Sequence, residues 1–190
     1  YLVVRCFISI TIITINDILD ISKVESGKLN LSPLTFSIVE TVQNLVNLSQ
    51  PMIKEKNIDF SFRINRMEKE YLYADQLRLN QIYINLLSNA IKYTADGGKI
   101  TMTAGVTGKH VFVKVSDNGV GIPSEDLPRL FERFYRVEKA RTSDKGGTGL
   151  GLAIAKEITL EHGGDIFIDS EVGKGTTITV YLPQKAKYIE

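Results

Sequence analysis

The chain is 190 residues long, 43% hydrophobic and 24% charged, and its 23 Lys+Arg against 22 Asp+Glu leave a formal charge of +1. This composition supports a packed core and excludes a disordered tail or a fibre, while so balanced a charge gives no general electrostatic case for nucleic acid. The one cysteine, Cys6, excludes an internal disulfide and favours a reducing, cytoplasmic compartment.

Tyr1 to Ile15 is apolar but interrupted by Arg5 and Ser9, and it is shorter than the roughly 20 residues of a membrane-spanning helix. Its β-branched residues suit a strand by propensity, yet Ile8, Ile12, Ile15 and Leu19 recur at helical spacing. Residues 1–26 are therefore expected to form a helix with a seam for a partner helix, stopping at Gly27. The sequence does not start with Met, so it is compatible with a fragment whose parent carries a sensor or membrane anchor upstream.

After Pro33, Ser37 followed by Glu40 forms a capping-box pattern that opens a helix through about Lys56, with a bend expected near Pro51. Ile58 to Ile64 alternates as a strand, and Leu72 to Ala74 as a short one. Asp75 is placed to cap a helix running to about Tyr93. The turn Asp96-Gly97-Gly98 leads into a hairpin of strands over about Lys99–Val106 and Val111–Ser116. A glycine-bearing loop at Asp117–Ile122 comes next, then a short helix near Ser124–Phe131 and a charged irregular stretch, Val137–Gly147. A helix is expected from Thr148 to Gly163, then strands at about Asp165–Ser170 and Thr176–Leu182. Helices and hairpin strands mixed in this way predict an α+β fold, a two-layer α/β sandwich preceded by a helix.

Three segments bear chemistry. On the helix after Asp75, Gln81, Asn85, Asn89 and Lys92 share one face, opposite Leu79, Ile82, Leu86, Ala90 and Ile91. Asn is a mediocre helix former, and an amide oxygen is a hard, neutral ligand for a Mg²⁺ that keeps waters and phosphate oxygens, with Lys92 one turn on to meet the same phosphates. Taken alone, the face reads more simply as that of a solvated helix. In Asp117-Asn118-Gly119-Val120-Gly121-Ile122 the glycines allow close backbone approach to a flat ligand, and Asp117 can accept from an exocyclic amine such as adenine N6; an ordinary Asp-Asn-Gly turn fits as well. Gly146 to Leu152 opens a helix whose N–H groups and dipole suit phosphate. Neither the Walker pattern nor a dinucleotide fingerprint is met. Arg133, Arg136, Lys139, Arg141 and Lys145 precede it, cations for a polyphosphate or simply a solvated run.

The order of these segments, with Phe131 and Phe134 between them and Gly173-Lys174-Gly175-Thr176 after them, resembles the catalytic ATP-binding domain of sensor histidine kinases of two-component systems, in the wider family of gyrase, Hsp90 and MutL. The match covers Leu31 to Pro183, with an N box at Asn85–Tyr93, a first G box at Asp117–Ile122, an F box at Phe131–Arg136 and a second G box at Gly147–Leu152. The resemblance implies a Bergerat fold, a mixed sheet covered by helices on one face, with ATP (or ADP) and Mg²⁺ between the Asn-bearing helix and a lid. It implies nucleotide contacts from Asn85, Asn89, Lys92, Tyr93, Asp117, Gly119, Gly121, Ile122, Arg136, Gly147, Thr148, Gly149, Leu150, Gly151 and Thr176, with Asn89 on the metal, Asp117 on adenine and Thr176 helping to hold that Asp and a bridging water. Residues 1–30 resemble the end of a dimerisation helix, which makes 31–190 the catalytic domain and implies a homodimer through the N-terminal helix, a phosphoacceptor domain and a response regulator as partners, and no nucleic acid.

The phosphoacceptor His of that dimerisation domain has no counterpart. His110 begins a strand, and His162 sits in a last helical turn, where a cation is favoured. The leading expectation is thus a module that transfers the γ-phosphate of ATP to a histidine elsewhere. The alternatives are a non-catalytic nucleotide-binding or dimerisation module, and an ATP hydrolase of the same superfamily, although Gln81 and Asn85 stand where such hydrolases place a carboxylate base.

Overall fold

A computed structural model describes residues 31–65, 71–137 and 148–184. The expected helix at 1–26, most of the charged stretch, with Lys139, Arg141, Lys145 and Gly147, and the last six residues lie outside these.

The chain begins with β1 (Leu34–Ser37) and runs straight into α1 (Ile38–Glu55). Ser37 is the N-cap, its hydroxyl accepting from the Glu40 N–H at 3.1 Å. The helix continues through Pro51 as one element. β2 (Asp59–Asn65) follows, then β3 (Tyr71–Ala74), which ends at the N-cap of α2 (Gln76–Tyr93). Strand β1 was not expected: its antiparallel partner β3 lies more than 30 residues away, so no local pattern announces it. The pair sets the starts of the two helices side by side. There Ser32 N–H donates to Asp75 Oδ2 at 3.0 Å and Gln76 Nε2 to Thr41 Oγ1 at 3.0 Å.

The main sheet has the order β2-β4-β5-β7-β6, with β4 (Lys99–Thr107), β5 (His110–Asp117), β6 (Asp165–Glu171) and β7 (Gly175–Pro183). Only β2 against β4 is parallel, so the sheet is mixed, as expected. The hairpin and the two last strands match expectation to within one residue at each end. Period-2 alternation aims Ile100, Met102, Val113, Val115, Ile178 and Val180 at one face. There they meet Val42 and Leu45 of α1, Leu79, Ile82 and Leu86 of α2, and Ile154 and Ile158 of α3 (Gly151–Glu161) in a single core. Each such side chain contributes about 1.5–3 kcal/mol when fully buried. The opposite face carries Phe112, Tyr181 and Phe167, with ring centroids 6.2 and 5.8 Å apart along the row. This is the two-layer α+β sandwich that the pattern predicts.

Two helix expectations are corrected. The helix near Ser124–Phe131 is only a 3-10 turn, Leu127–Arg129, because Pro128 offers no N–H to a longer ladder. The helix expected from Thr148 starts at Gly151, since Gly149 at φ +72° leaves the helical region and the Thr148 hydroxyl instead accepts from Leu150 N–H.

Candidate functional site

A cavity of about 730 Å³ opens between the C-terminal half of α2, the end of β5 with its following loop, residues 130–137, and the start of α3. The alternation of β5 brings Asp117 to its floor. Asp117 Oδ1 accepts from Gly119 N–H at 2.9 Å and from Thr176 N–H at 3.2 Å, which leaves Oδ2 without a protein partner among the described residues. Burial pushes the carboxyl up from its ordinary range, and the two N–H donors pull it back.

Thr176 supports Asp117 through its backbone, while its hydroxyl lies 2.9 Å from Ser170 Oγ. Ser170 Oγ donates to Gly175 O and accepts from Ile122 N–H, each at 2.9 Å, so this serine knots the glycine loop to the β6–β7 hairpin. Nothing local in the sequence distinguished Ser170, a polar residue near the end of a strand.

The glycines of the loop are also demanded by the protein's own packing. A Cβ on Gly119 would stand 2.5 Å from Tyr93 O, and one on Gly121, at φ +68°, 2.0 Å from Glu171 O. Both are required by backbone packing alone, before any flat ligand arrives.

Asn89, Lys92 and Tyr93 of α2 also line the cavity, with Lys92 Nζ 5.0 Å from the centre of the Tyr93 ring. Tyr135 and Arg136 line it as well; the Tyr135 hydroxyl bonds Asp126, and the Arg129 guanidinium lies 4.2 Å from the Tyr135 ring centre. Phe134, at φ +61° and exposed, donates its N–H to Gly149 O at 3.0 Å, pinning the two ends of the intervening segment together. Helix α3 opens with no side-chain cap. Its first N–H groups lie at Gly151 and Leu152, both on the cavity wall.

Of the expected contacts, Asn89, Lys92, Tyr93, Asp117, Gly121, Ile122, Arg136, Gly149, Gly151 and Thr176 line this one cavity. Gly119, Asn85, Thr148 and Leu150 do not; Leu150 is fully buried and belongs to the core, where its apolar side chain is driven. Asn85 packs behind the wall, its Oδ1 only 3.3 Å from where a Cβ on Gly151 would be, and its Nδ2 is buried without a partner. Among the described residues no cluster of three His, Cys, Asp or Glu could hold a metal, so any cation here depends on amide oxygen and on the ligand's own oxygens.

Both histidines stand apart. His110 is exposed at the far end of β5 from Asp117. His162 is buried at the C-cap of α3, with Nδ1 2.8 Å from Ile158 O and Nε2 accepting from Asp75 N–H at 3.3 Å. That pair of roles is one neutral tautomer, Nδ1–H. Burial lowers its pKa below 6.5, against smaller opposing effects of the Ile158 carbonyl, Asp75 and Glu161. The cation expected at this helix end is therefore a neutral ring.

The family described as histidine kinase-, DNA gyrase B-, and HSP90-like ATPase matches residues 74–186. The sensor histidine kinase WalK of Bacillus subtilis (strain 168) is 42% identical over 175 residues, covering 90% of this chain and 28% of WalK. The chain thus spans under a third of the length of that relative. Among solved structures, the nucleotide-free catalytic domain of the histidine kinase ThkA aligns with TM-score 0.71 and 31% identity over 81% of this chain and 97% of that domain. Full-length ShkA in complex with AMPPNP aligns with TM-score 0.80 and 28% identity over 90% of this chain and 35% of ShkA.

Proposed function

The chain belongs to the histidine kinase-, DNA gyrase B- and HSP90-like ATPase family and is an ATP-binding catalytic domain of the histidine-kinase kind, and from that premise we propose that it transfers the γ-phosphate of ATP to a histidine on a dimerisation segment, for relay to a response regulator. The reading rests above all on Asp117, a cavity-floor carboxylate with one oxygen committed to two backbone donors and the other open to the N6 amine of adenine. Lys92, Tyr93, Arg136 and the first N–H groups of α3 face the remainder of the cavity, where the phosphates would lie. Thr148 and Gly149 shape the approach to that helix; Gly147 lies outside the described residues. Asn85 supports the wall from behind.

Mg²⁺ fits this donor set: the Asn89 amide oxygen would hold it together with phosphate oxygens, and it would neutralise charge developing on the transferred group. The chain's residues supply position. In-line transfer needs a nucleophile within about 3–3.5 Å of the phosphorus. His110 is a strand's length of about 20 Å from Asp117, and His162 caps the opposite end of α3 from the cavity, about 16 Å along the axis. The acceptor is accordingly a histidine outside this chain. Residues 1–30, where Ile8, Ile12, Ile15 and Leu19 recur at helical spacing, would pair two copies, and ThkA, aligned at TM-score 0.72 and 26% identity, has been solved in complex with the response regulator TrrA. Among the described residues no helix is long and apolar enough to cross a membrane. The site would work on the cytoplasmic side, where ATP is supplied.

Calorimetry with Mg-ATP and Mg-GTP tests the base assignment. A guanine carbonyl facing Asp117 should cost on the order of 1–3 kcal/mol, roughly 5- to 150-fold in affinity, and Asp117→Asn should weaken ATP without unfolding the domain. Equal affinities would remove the adenine reading. Labelled phosphate should appear on an added dimerisation domain carrying its own histidine, and Asn89→Ala should abolish it; label on His110 or His162 would overturn the site map.

A further inference from the structure

The C-terminal end of α2 carries Lys92 and Tyr93 into the cavity, and a helix ends with carbonyls that have no intrahelical donor. Ala90 O is taken by Thr94 N–H at 3.0 Å and Tyr93 O by Val120 N–H at 3.2 Å. The remaining ones converge on one side chain from another helix. Lys56 Nζ donates to Ile91 O at 2.6 Å, to Lys92 O at 3.3 Å and to Thr94 O. An ammonium has three donors, and here three carbonyls meet them. Lys56 is itself held: it is the C-cap residue of α1, and its carbonyl accepts from Gly97 N–H at 2.8 Å. A positive charge at the negative end of α2 adds a favourable dipole interaction.

We propose that Lys56 is a positioning residue of the ATP site, fixing the peptides from which Lys92 and Tyr93 project so that they meet the phosphates. It does not line the cavity and acts only through those residues. The base end meets this helix end through Val120 N–H on Tyr93 O, but Asp117 itself is held by the Gly119 and Thr176 N–H groups. Removing the ammonium therefore loosens the peptides of Lys92 and Tyr93 while Asp117 keeps both of its donors. This inference rests on the ATP-site reading above, and it predicts a change in how affinity is divided between phosphates and base.

The experiment is calorimetric titration of the folded chain with Mg-ATP and, separately, with adenosine, for wild type, Lys56→Met and Lys56→Arg. Wild type should favour ATP; no preference at all would defeat the ATP-site reading itself. Lys56→Met keeps the stem without the charge and should lower the ratio of ATP to adenosine affinity at least fivefold, with adenosine affinity held within twofold. Lys56→Arg keeps a cation whose planar fork cannot converge on three carbonyls, and its ratio should fall about twofold. A merely structural lysine would lower stability and leave both ratios at the wild-type value, which would overturn the proposal. Should Lys56→Met fail to fold, the Lys56→Arg ratio decides: a fall supports the inference, and a wild-type ratio ends it.

Discussion

Helices α2 and α3 lie side by side in one core and begin in opposite ways. At the start of α2 the Asp75 carboxylate accepts from Arg78 N–H at 3.1 Å and from Ser32 N–H at 3.0 Å, so the end is finished by the protein. At the start of α3 no side chain caps the helix, the first residue is Gly151, and the end lies on the cavity wall. The far end of α3 is finished again, by His162 and by Gly164 N–H on Thr159 O at 2.9 Å. Among the described α-helices, the start left without a side-chain cap is the one on the cavity wall. A cap stabilises a helix by about 1 kcal/mol, and leaving it out keeps N–H groups and the positive end of the dipole available to an anion.

The largest expected effect comes from closing the open end. Gly151→Asp puts a carboxylate in the first turn of α3, where it competes with phosphate, and should weaken ATP binding on the order of 10- to 100-fold, about 1.4–2.7 kcal/mol. Thermal unfolding should change by less than about 1 kcal/mol. Unchanged ATP affinity would break the contrast between the two helices. Opening the closed end should do the reverse: Asp75→Ala is expected to cost about 2 kcal/mol in urea unfolding with ATP affinity within twofold of wild type.

A smaller effect concerns the finished end of α3. His162 has its folded pKa lowered by burial, so the unfolded chain binds more protons, and stability is lost as pH falls through 6.5. Melting curves between pH 7.5 and 5.5 should show wild type losing more than His162→Gln, whose amide can make both hydrogen bonds without titrating. Parallel losses would mean that the ring is not held neutral. The smallest effect is expected at Lys174, whose ion pair with Glu171 at 2.8 Å joins side chains 72% and 65% exposed. Lys174→Ala should change stability by about 0.5 kcal/mol or less and leave ATP binding alone.

What could be read from the sequence was mostly local. Ser37 and Asp75 announce helix starts because a cap bonds within three residues, and both helices begin where those residues place them. The hairpin of β4 and β5 follows from alternation about a glycine turn. Ten of the residues that the order of Asn-bearing helix, Asp-Asn-Gly loop and glycine-rich helix start groups together line one cavity. What could not be read is non-local: the pairing of β1 with β3, the Ser170 knot, the reach of Lys56 to carbonyls 35 to 38 residues away, and the contact of His162 with Asp75 across 87 residues. The burial of the Leu150 side chain could not be read either, because a residue in a glycine-rich motif can be there for the core, and periodicity across Gly149 does not tell which.

The bond from Thr176 N–H to Asp117 spans 59 residues, and it bears on the birth of the protein as well as on its finished state. At roughly 5–20 residues per second of synthesis, about 3–12 s separate the emergence of the carboxylate from that of its second donor. Through that interval the residues of α2 and of the β4–β5 hairpin have already been synthesised, yet the floor of the cavity lacks β7 and Asp117 lacks half of its clamp. The cavity therefore has no complete floor on the nascent chain, and ATP can reward folding only after β7 has left the ribosome and docked between β5 and β6.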